Sequence, residues 1–333
     1  MSRKKISLIG GGQIGQILAL ISAQKQLGDV VILDIPDFEG SVKGKALDLM
    51  EMRPLEGYDV NITGTSNYAD IADSDVVIIT AGIPRKPGMS RDDLLAINVS
   101  IVKSCAEEAV KHSPDCVLIV VTNPIDAMVH TAFKVTGHPK EKVIGMAGVL
   151  DSARYRTFLA QALGVAPKDV NALVLGIHGD NMMPMVRLAN VAGVPITDLL
   201  SKEEIDSIVH RTQTGGLEIV NHLKTGSAFY TPGLAAVEMA EAVLTDSKRV
   251  LPCAAYLEGE FGVSGYFLGV PVVIGENGVE KILEFELTDE EKEALQLCEG
   301  RCKTDGSHGP LESVESGSRN EKRVISTRGG CKS

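Results

Sequence analysis

The stretch Gly10-Gly-Gly12-Gln-Ile-Gly15 narrows the possible folds more than any other part of this sequence. It stands between a short apolar run, Ile6–Ile9, and a stretch over 13–26 that places Ile14, Ile17, Leu18 and Ile21 at helical spacing. Glycine-rich turns are common. One that ends a strand and opens a helix is the context in which a chain wraps a pyrophosphate. Gly10 permits the tight turn, Gly12 lets the main chain approach phosphate, and Gly15 lets the helix lie close to the strand. The helix start then offers unpaired N–H groups and a positive dipole end. Asp34 closes the next apolar run, Val30–Leu33, at the distance of about 20 residues expected for a ribose-binding acid. A carboxylate there accepts from both ribose hydroxyls and repels a 2′-phosphate, which favours NAD over NADP.

The first half of the chain keeps this rhythm. Ile6–Ile9, Val30–Leu33, Val76–Ile79 and Val117–Val121 are short runs rich in β-branched residues, each followed by Gly, Asp, Thr or Asn. They have the character of parallel strands buried on both sides. Helical patterns lie between them, as over 98–112, and Val143–Met146 reads as a last strand. The alternation predicts βαβ units and a doubly wound Rossmann sheet over 1–146. From about residue 147 the pattern changes to an α+β domain, 147–296, that cannot be cut cleanly from the first. Helices are expected over 150–163, 202–224 and 232–244, and strands over 172–177, 250–256 and 267–274. The pair Gly215-Gly216 should bend or weaken the second of these helices. A capping box at Thr288-Asp-Glu-Glu291 starts a last helix, expected to end near Leu295.

Composition excludes several classes of function. The 333 residues carry 33 basic and 44 acidic side chains, a net charge of −11, which argues against nucleic acid or an anionic membrane as partner. No run approaches the ~18 apolar residues of a membrane span, and Gly10–Gly12 cut short the apolar stretch after the basic N-terminus. The six cysteines are scattered without a C-x-x-C, as in reduced proteins of the cytoplasm.

Three further patterns carry chemistry. The loop Arg85-Lys-Pro-Gly-Met-Ser-Arg91 could close two guanidinium forks over an anion, or be a solvated basic loop. Asp151 and Arg154 share a helix face, as a surface ion pair would also do. His178, in Leu175-Gly-Ile-His178-Gly-Asp180, stands beyond an apolar strand, and histidine is the natural proton carrier near neutral pH.

Taken in order, Gly10–Gly15, Asp34, Thr80-Ala-Gly82, Arg85 to Arg91, Val121-Thr-Asn-Pro124, Leu150-Asp-Ser-Ala-Arg154 and His178-Gly-Asp180 resemble the lactate/malate dehydrogenase family. Within it, they resemble the malate dehydrogenases of the lactate-dehydrogenase-like branch, over about residues 5–296. The resemblance implies an NAD-dependent oxidoreductase that interconverts malate and oxaloacetate, a reaction of the tricarboxylic acid cycle. It implies that His178 takes the hydroxyl proton and that Asp151 orients the imidazole; Asp180 is the tempting wrong partner. Arg154 and Arg85 would bind the two carboxylates, and Arg91 would polarise the C2 oxygen. Asn123 would touch substrate and cofactor, with Gly10, Gly12, Gln13, Ile14, Gly15, Asp34, Asn98 and Val121 completing the NAD site. Arg85 discriminates against pyruvate, for which lactate-specific relatives typically place an uncharged residue there. A homotetramer is implied ahead of a dimer. A lactate or relaxed 2-hydroxyacid dehydrogenase is the alternative within the class. A non-catalytic NAD-binding sensor is the alternative outside it, and would show gaps in the catalytic set.

Residues 297–333 depart from this pattern. They are Gly-, Ser- and charge-rich, with seven basic against five acidic residues, and are expected to form a disordered appendage. Cutting the chain after Gln296 should then change activity little. The spacings of Cys298, Cys302, His308 and Cys331 match no familiar zinc pattern, so no metal is expected.

Overall fold

The structure, a computed structural model, describes residues 3–84 and 91–304. Its first half lays down β1 (Lys5–Ile9), α1 (Gln13–Gln24), β2 (Asp29–Leu33), α2 (Glu39–Glu51), α3 (Arg53–Glu56), β3 (Ile62–Thr65) and β4 (Val76–Ile79). α4 (Arg91–His112), β5 (Val117–Val120), α5 (Ile125–Thr136) and β6 (Val143–Gly145) follow. The six strands pair in parallel in the order β3-β2-β1-β4-β5-β6. Side chains alternate across the sheet, so Ile6 and Leu8 enter one core and Ile9 the other, while Val76 and Ile78 oppose Val77 and Ile79. Both faces are covered, hence the unbroken apolar runs. Strand order reverses between β1 and β4, which opens a crevice at their carboxyl ends, where doubly wound sheets bind ligands. The glycine turn lies there: the Gly10 N–H donates to Leu33 O at 2.8 Å, and Thr80 Oγ1, just past β4, donates to Gly10 O at 3.0 Å.

The second half continues the same sheet. α6 (Gly148–Leu163) is followed by the two-residue strands β7 (Val170–Asn171), β8 (Val174–Leu175), β9 (Met183–Pro184), β10 (Asn190–Val191) and β11 (Val194–Pro195). Then come α7 (Lys202–Leu223), α8 (Tyr230–Leu244), β12 (Arg249–Glu258), β13 (Ser264–Gly275), β14 (Gly278–Ile282) and α9 (Asp289–Thr304). β12 joins β6 antiparallel through Ala254 and Gly145, and β13 and β14 extend the edge, so one nine-stranded sheet runs through both halves. A third apolar cluster, built on Tyr155, Leu159, Ile196 and Ile205, ties α6 to α7.

The structure corrects three expectations. α7 runs unbroken through Gly215 and Gly216, because Gly215 is where a side chain of α6 crosses the helix (below). The strand expected over 172–177 shortens to Val174–Leu175, since Gly176 takes a φ of +84° and turns from β9 to bridge Gly269 of β13 instead. The last helix continues past Leu295 and position 297 to Thr304, with Cys298 buried and its Sγ donating to Asn181 O at 3.6 Å. A cut after Gln296 therefore removes a residue packed beneath the segment that follows His178. Residues 305–333, which include His308 and Cys331, lie outside the described residues. The sequence pattern also passed over α2, β3 and β14, whose apolar positions are few.

Candidate active site

The turn after β1 is built as a cradle. Gly10 has a φ of +113°, and a Cβ on it would lie 2.6 Å from Thr80 Oγ1; one on Gly15 would lie 2.0 Å from Gly10 O. No side chain can therefore fill the bend, and the main chain is left to line it. Gly12 caps α1 without a side-chain hydrogen bond, no acid sits in the first turn, and nothing lies within 4 Å of its would-be Cβ. The first-turn N–H groups and the helix dipole thus face open space, an arrangement that fits a pyrophosphate. Gln13 is exposed and Ile14 half-buried in that turn. Asp34 is fixed at the mouth: Oδ2 accepts from Gly11 N and Oδ1 from Ile35 N, both at 2.8 Å. Each oxygen keeps a lone pair for a ribose hydroxyl. Lys45, which the motif reading missed, donates from Nζ to Gly11 O at 2.5 Å and braces the turn from α2. Its only sequence signal was a lysine in a weakly amphipathic helix.

A second group of residues meets around His178. Nδ1 of the imidazole is 2.8 Å from Asp151 Oδ2, and the Asp151 side chain, in the first turn of α6, is 2% exposed. Asp180 is exposed, and the imidazole bonds to Asp151 instead. Burial by itself would lower the His178 pKa. The Asp151 charge and hydrogen bond, with a further contribution from Asp126, outweigh it, and the net shift is upward although Arg154 opposes it.

Arg154 stands one turn along α6, its side chain 10% exposed. NH1 reaches Asp151 Oδ1 at 3.5 Å and Thr212 O at 3.4 Å, and neither Nε nor NH2 donates to a described residue. Those two N–H groups form one side of the planar fork that takes a carboxylate in two hydrogen bonds. Gly215 makes room for this. A Cβ there would lie 2.5 Å from Arg154 Cδ and 2.9 Å from Nε. Gly215→Ala should improve helix propensity by about 1 kcal/mol. It should also push the guanidinium aside and raise the KM of the anionic substrate roughly tenfold, on the order of the 1–3 kcal/mol typical of overpacking. A thermal melt and steady-state kinetics on one preparation separate the two effects; an unchanged KM would refute the steric role.

Asn98, on α4, is 2% exposed and acts on the main chain. Its Nδ2 donates to Asn123 O at 2.8 Å and Ile83 O at 3.2 Å, and its Oδ1 accepts from Ile83 N at 2.9 Å. It thereby joins the segment after β4 to the one after β5, where Val121 is buried and Asn123 exposed. Arg85 lies outside the described residues, as does the side chain of Arg91, whose main chain opens α4. Asp126, not singled out from the sequence, opens α5 with its Oδ1 buried and without a partner among the described residues.

An imidazole–carboxylate pair beside an open guanidinium fork, on a chain with a dinucleotide cradle, fits an oxidoreductase that moves a hydride and a proton together. Comparison with known proteins agrees. The family model of the lactate/malate dehydrogenase NAD-binding domain matches residues 4–145, and that of the alpha/beta C-terminal domain matches residues 148–309. The chain belongs to the lactate/malate dehydrogenase family. It is 58% identical over 295 residues to a malate dehydrogenase of Bacillus cytotoxicus, covering 89% of this chain and 95% of that protein. A malate dehydrogenase of Rhodopirellula baltica is 58% identical over 296 residues, covering 89% and 94%. Among solved structures, the apo malate dehydrogenase of Picrophilus torridus superposes with a TM-score of 0.90 at 48% identity, covering 94% of this chain and all of that one. A Cryptosporidium parvum lactate dehydrogenase, complexed with lactic acid and nicotinamide adenine dinucleotide, superposes at 0.88 with 46% identity, covering 92% and 97%.

Proposed function

We propose that this chain is an NAD-dependent malate dehydrogenase. The observation that carries the reading is a His178–Asp151 pair beside the open fork of Arg154, in a chain 58% identical to malate dehydrogenases. When bound, NAD takes a hydride from C2 of malate or returns one to oxaloacetate. Gly10, Gly12, Gln13, Ile14 and Gly15 hold its pyrophosphate, Asp34 its ribose, and Val121, Asn98 and Asn123 border the reacting end. With Nδ1–H donated to Asp151, Nε2 of the neutral imidazole is left as the acceptor for the hydroxyl proton. Asp151 then faces an imidazolium and stabilises it, as the third group of a catalytic triad does. Arg154 takes the carboxylate next to C2, Arg91 polarises the C2 oxygen, and Arg85 takes the distal carboxylate. Residues 1–146 hold the cofactor and lend Arg85 and Arg91 to the substrate, and 147–296 supply Asp151, Arg154 and His178.

A substrate panel with NADH and NADPH tests this. Oxaloacetate should be reduced with NADH far faster than pyruvate, and NADPH should be poor. Arg85→Gln should move the oxaloacetate-to-pyruvate ratio of kcat/KM by about 100-fold or more toward pyruvate, because a cation left unpaired against the methyl group of pyruvate is strongly disfavoured. An unchanged ratio removes Arg85 as the discriminator. A second reading, activity on lactate and pyruvate, is favoured by the likeness to the Cryptosporidium lactate dehydrogenase, and the same panel decides it.

We further propose a homotetramer, ahead of a dimer, acting in the cytoplasm as part of the tricarboxylic acid cycle. Leu47 and Leu55 on α2 and α3, and Leu217, Tyr230 and Leu234 on α7 and α8, are exposed and would be covered by a second copy. Cys105, Cys116 and Cys253 are buried free thiols, as a reducing compartment keeps them. No helix of the described residues is long and apolar enough to cross a membrane. Light scattering that gave a monomeric mass would refute the assembly.

A further inference from the structure

Asp126 has no part in the reactions assigned above, yet it is placed among the groups that carry them. It lies in the first turn of α5, two residues after Pro124. Its Oδ1 is buried and meets no donor among the described residues. The main-chain N–H and the imidazole of His178 both favour its ionised form, and it is near enough to that imidazole and to Asp151 for the three charges to act on one another. The groups facing it are His178, from the segment after β8, and Asp151, from α6; Arg154, also on α6, faces the imidazole. Val99, Val102, Leu118, Val120, Val143 and Phe267, from α4, β5, β6 and β13, share one apolar cluster with Ile125, Met128 and Val129 of α5. His130, one turn further along α5, lies edge-on to Phe267.

Charge balance gives this placement a consequence. With a neutral imidazole, Asp151 and Arg154 cancel and the buried site has no net charge. Protonating His178 adds one positive charge to a site of low dielectric, where an uncompensated charge is costly. An ionised Asp126 restores the balance. Burial pushes the Asp126 carboxyl up to about 7, while the nearby imidazole and the N–H of His178 pull it back, so that it ionises most readily when His178 is charged.

We infer that Asp126 is a positioning residue of the proton-transfer site, a second carboxyl beside Asp151 that stabilises the imidazolium of His178. This rests on the reading of His178 as the proton carrier. The full chain carrying Asp126→Asn keeps the shape of the side chain and loses its charge. Oxaloacetate reduction needs the imidazolium and falls as pH rises through the His178 midpoint; malate oxidation needs the neutral ring and rises through it. In the variant both limbs of the kcat/KM profiles should move to lower pH together, by about one unit. Reduction well above the midpoint then falls about tenfold. The His178 ring resonance followed by NMR should shift its midpoint equally, with NADH affinity unchanged. A loss equal at every pH, with midpoint and resonance unmoved, would mean that Asp126 is only structural. Asp126→Glu retains a carboxyl and should keep the parental midpoint. A glutamate variant displaced by a full unit would overturn the proposal even if the asparagine variant failed to fold. Absence of parental turnover on malate would instead overturn the proposed function, and the resonance would still read the coupling between Asp126 and His178.

Discussion

Replacing His178 by asparagine should lower turnover of oxaloacetate by about 10³- to 10⁴-fold while leaving the binding of NADH intact. The upper part of the range usual for general acid–base catalysis applies, because one imidazole must both give and receive the proton. An asparagine amide can still donate to Asp151, so the buried carboxylate keeps a hydrogen bond and the fold is not asked to bury a bare charge. What is lost is the Nε2 lone pair. The dinucleotide cradle is formed by other residues, after β1 and β2, and should be indifferent to the change. The chain contains no tryptophan, so NADH binding can be read from the coenzyme's own fluorescence without tryptophan background. Turnover within tenfold of the parent would remove His178 as the proton carrier. Loss of NADH binding would show that the segment around it does more than move a proton.

Arg154→Leu should reduce kcat/KM for oxaloacetate by about 10²- to 10³-fold, the range expected when one partner of a desolvated charge pair is removed. Among the described residues the guanidinium spends only NH1, at 3.5 Å from Asp151 and 3.4 Å from Thr212 O, so most of its donor capacity is left for a ligand. Arg154→Lys keeps the charge but not the fork, and should recover only part of the loss. A second signature follows from the sign of the interaction with His178. Arg154 opposes protonation of the imidazole, so removing it should move the His178 midpoint upward and extend reduction to higher pH. This is the reverse of the displacement expected for Asp126→Asn. Steady-state rates across pH for both variants measure it. A leucine variant with unaltered kcat/KM would show that the substrate carboxylate is held elsewhere.

The cysteine at 298 shows why the end of the chain was hard to read. Counted as text, Leu297-Cys-Glu-Gly-Arg-Cys has no apolar period, and the helix was expected to stop before it. In the fold, one buried face suffices: Leu295 and Cys298, three apart, both point inward, and Cys298 lies beside Gly176 and Asn181. Gly215 was misleading for a related reason. Propensity treats glycine as a weak point of a helix, whereas here its missing side chain is the channel through which Arg154 passes. The parallel strands were legible because burial on both faces leaves no polar position to blur the pattern. α2 and β3 were not, since α2 buries only Val42, Ala46 and Leu49, and the four-residue β3 buries only its two ends, Ile62 and Thr65.

By itself the sequence determined the dinucleotide turn, the acid that follows it and the parallel sheet that carries both. These are local: a bend without side chains, a helix start and runs of β-branched residues are properties of neighbours along the chain. The surroundings of His178 were decided only by the tertiary structure. Asp126, Asp151 and Arg154 reach it from two helices, 52, 27 and 24 positions earlier in the sequence. Which of them accepts its hydrogen bond, which opposes its charge and which is left with a bare oxygen depends on burial and on distances across the fold. No spacing along the chain encodes those quantities.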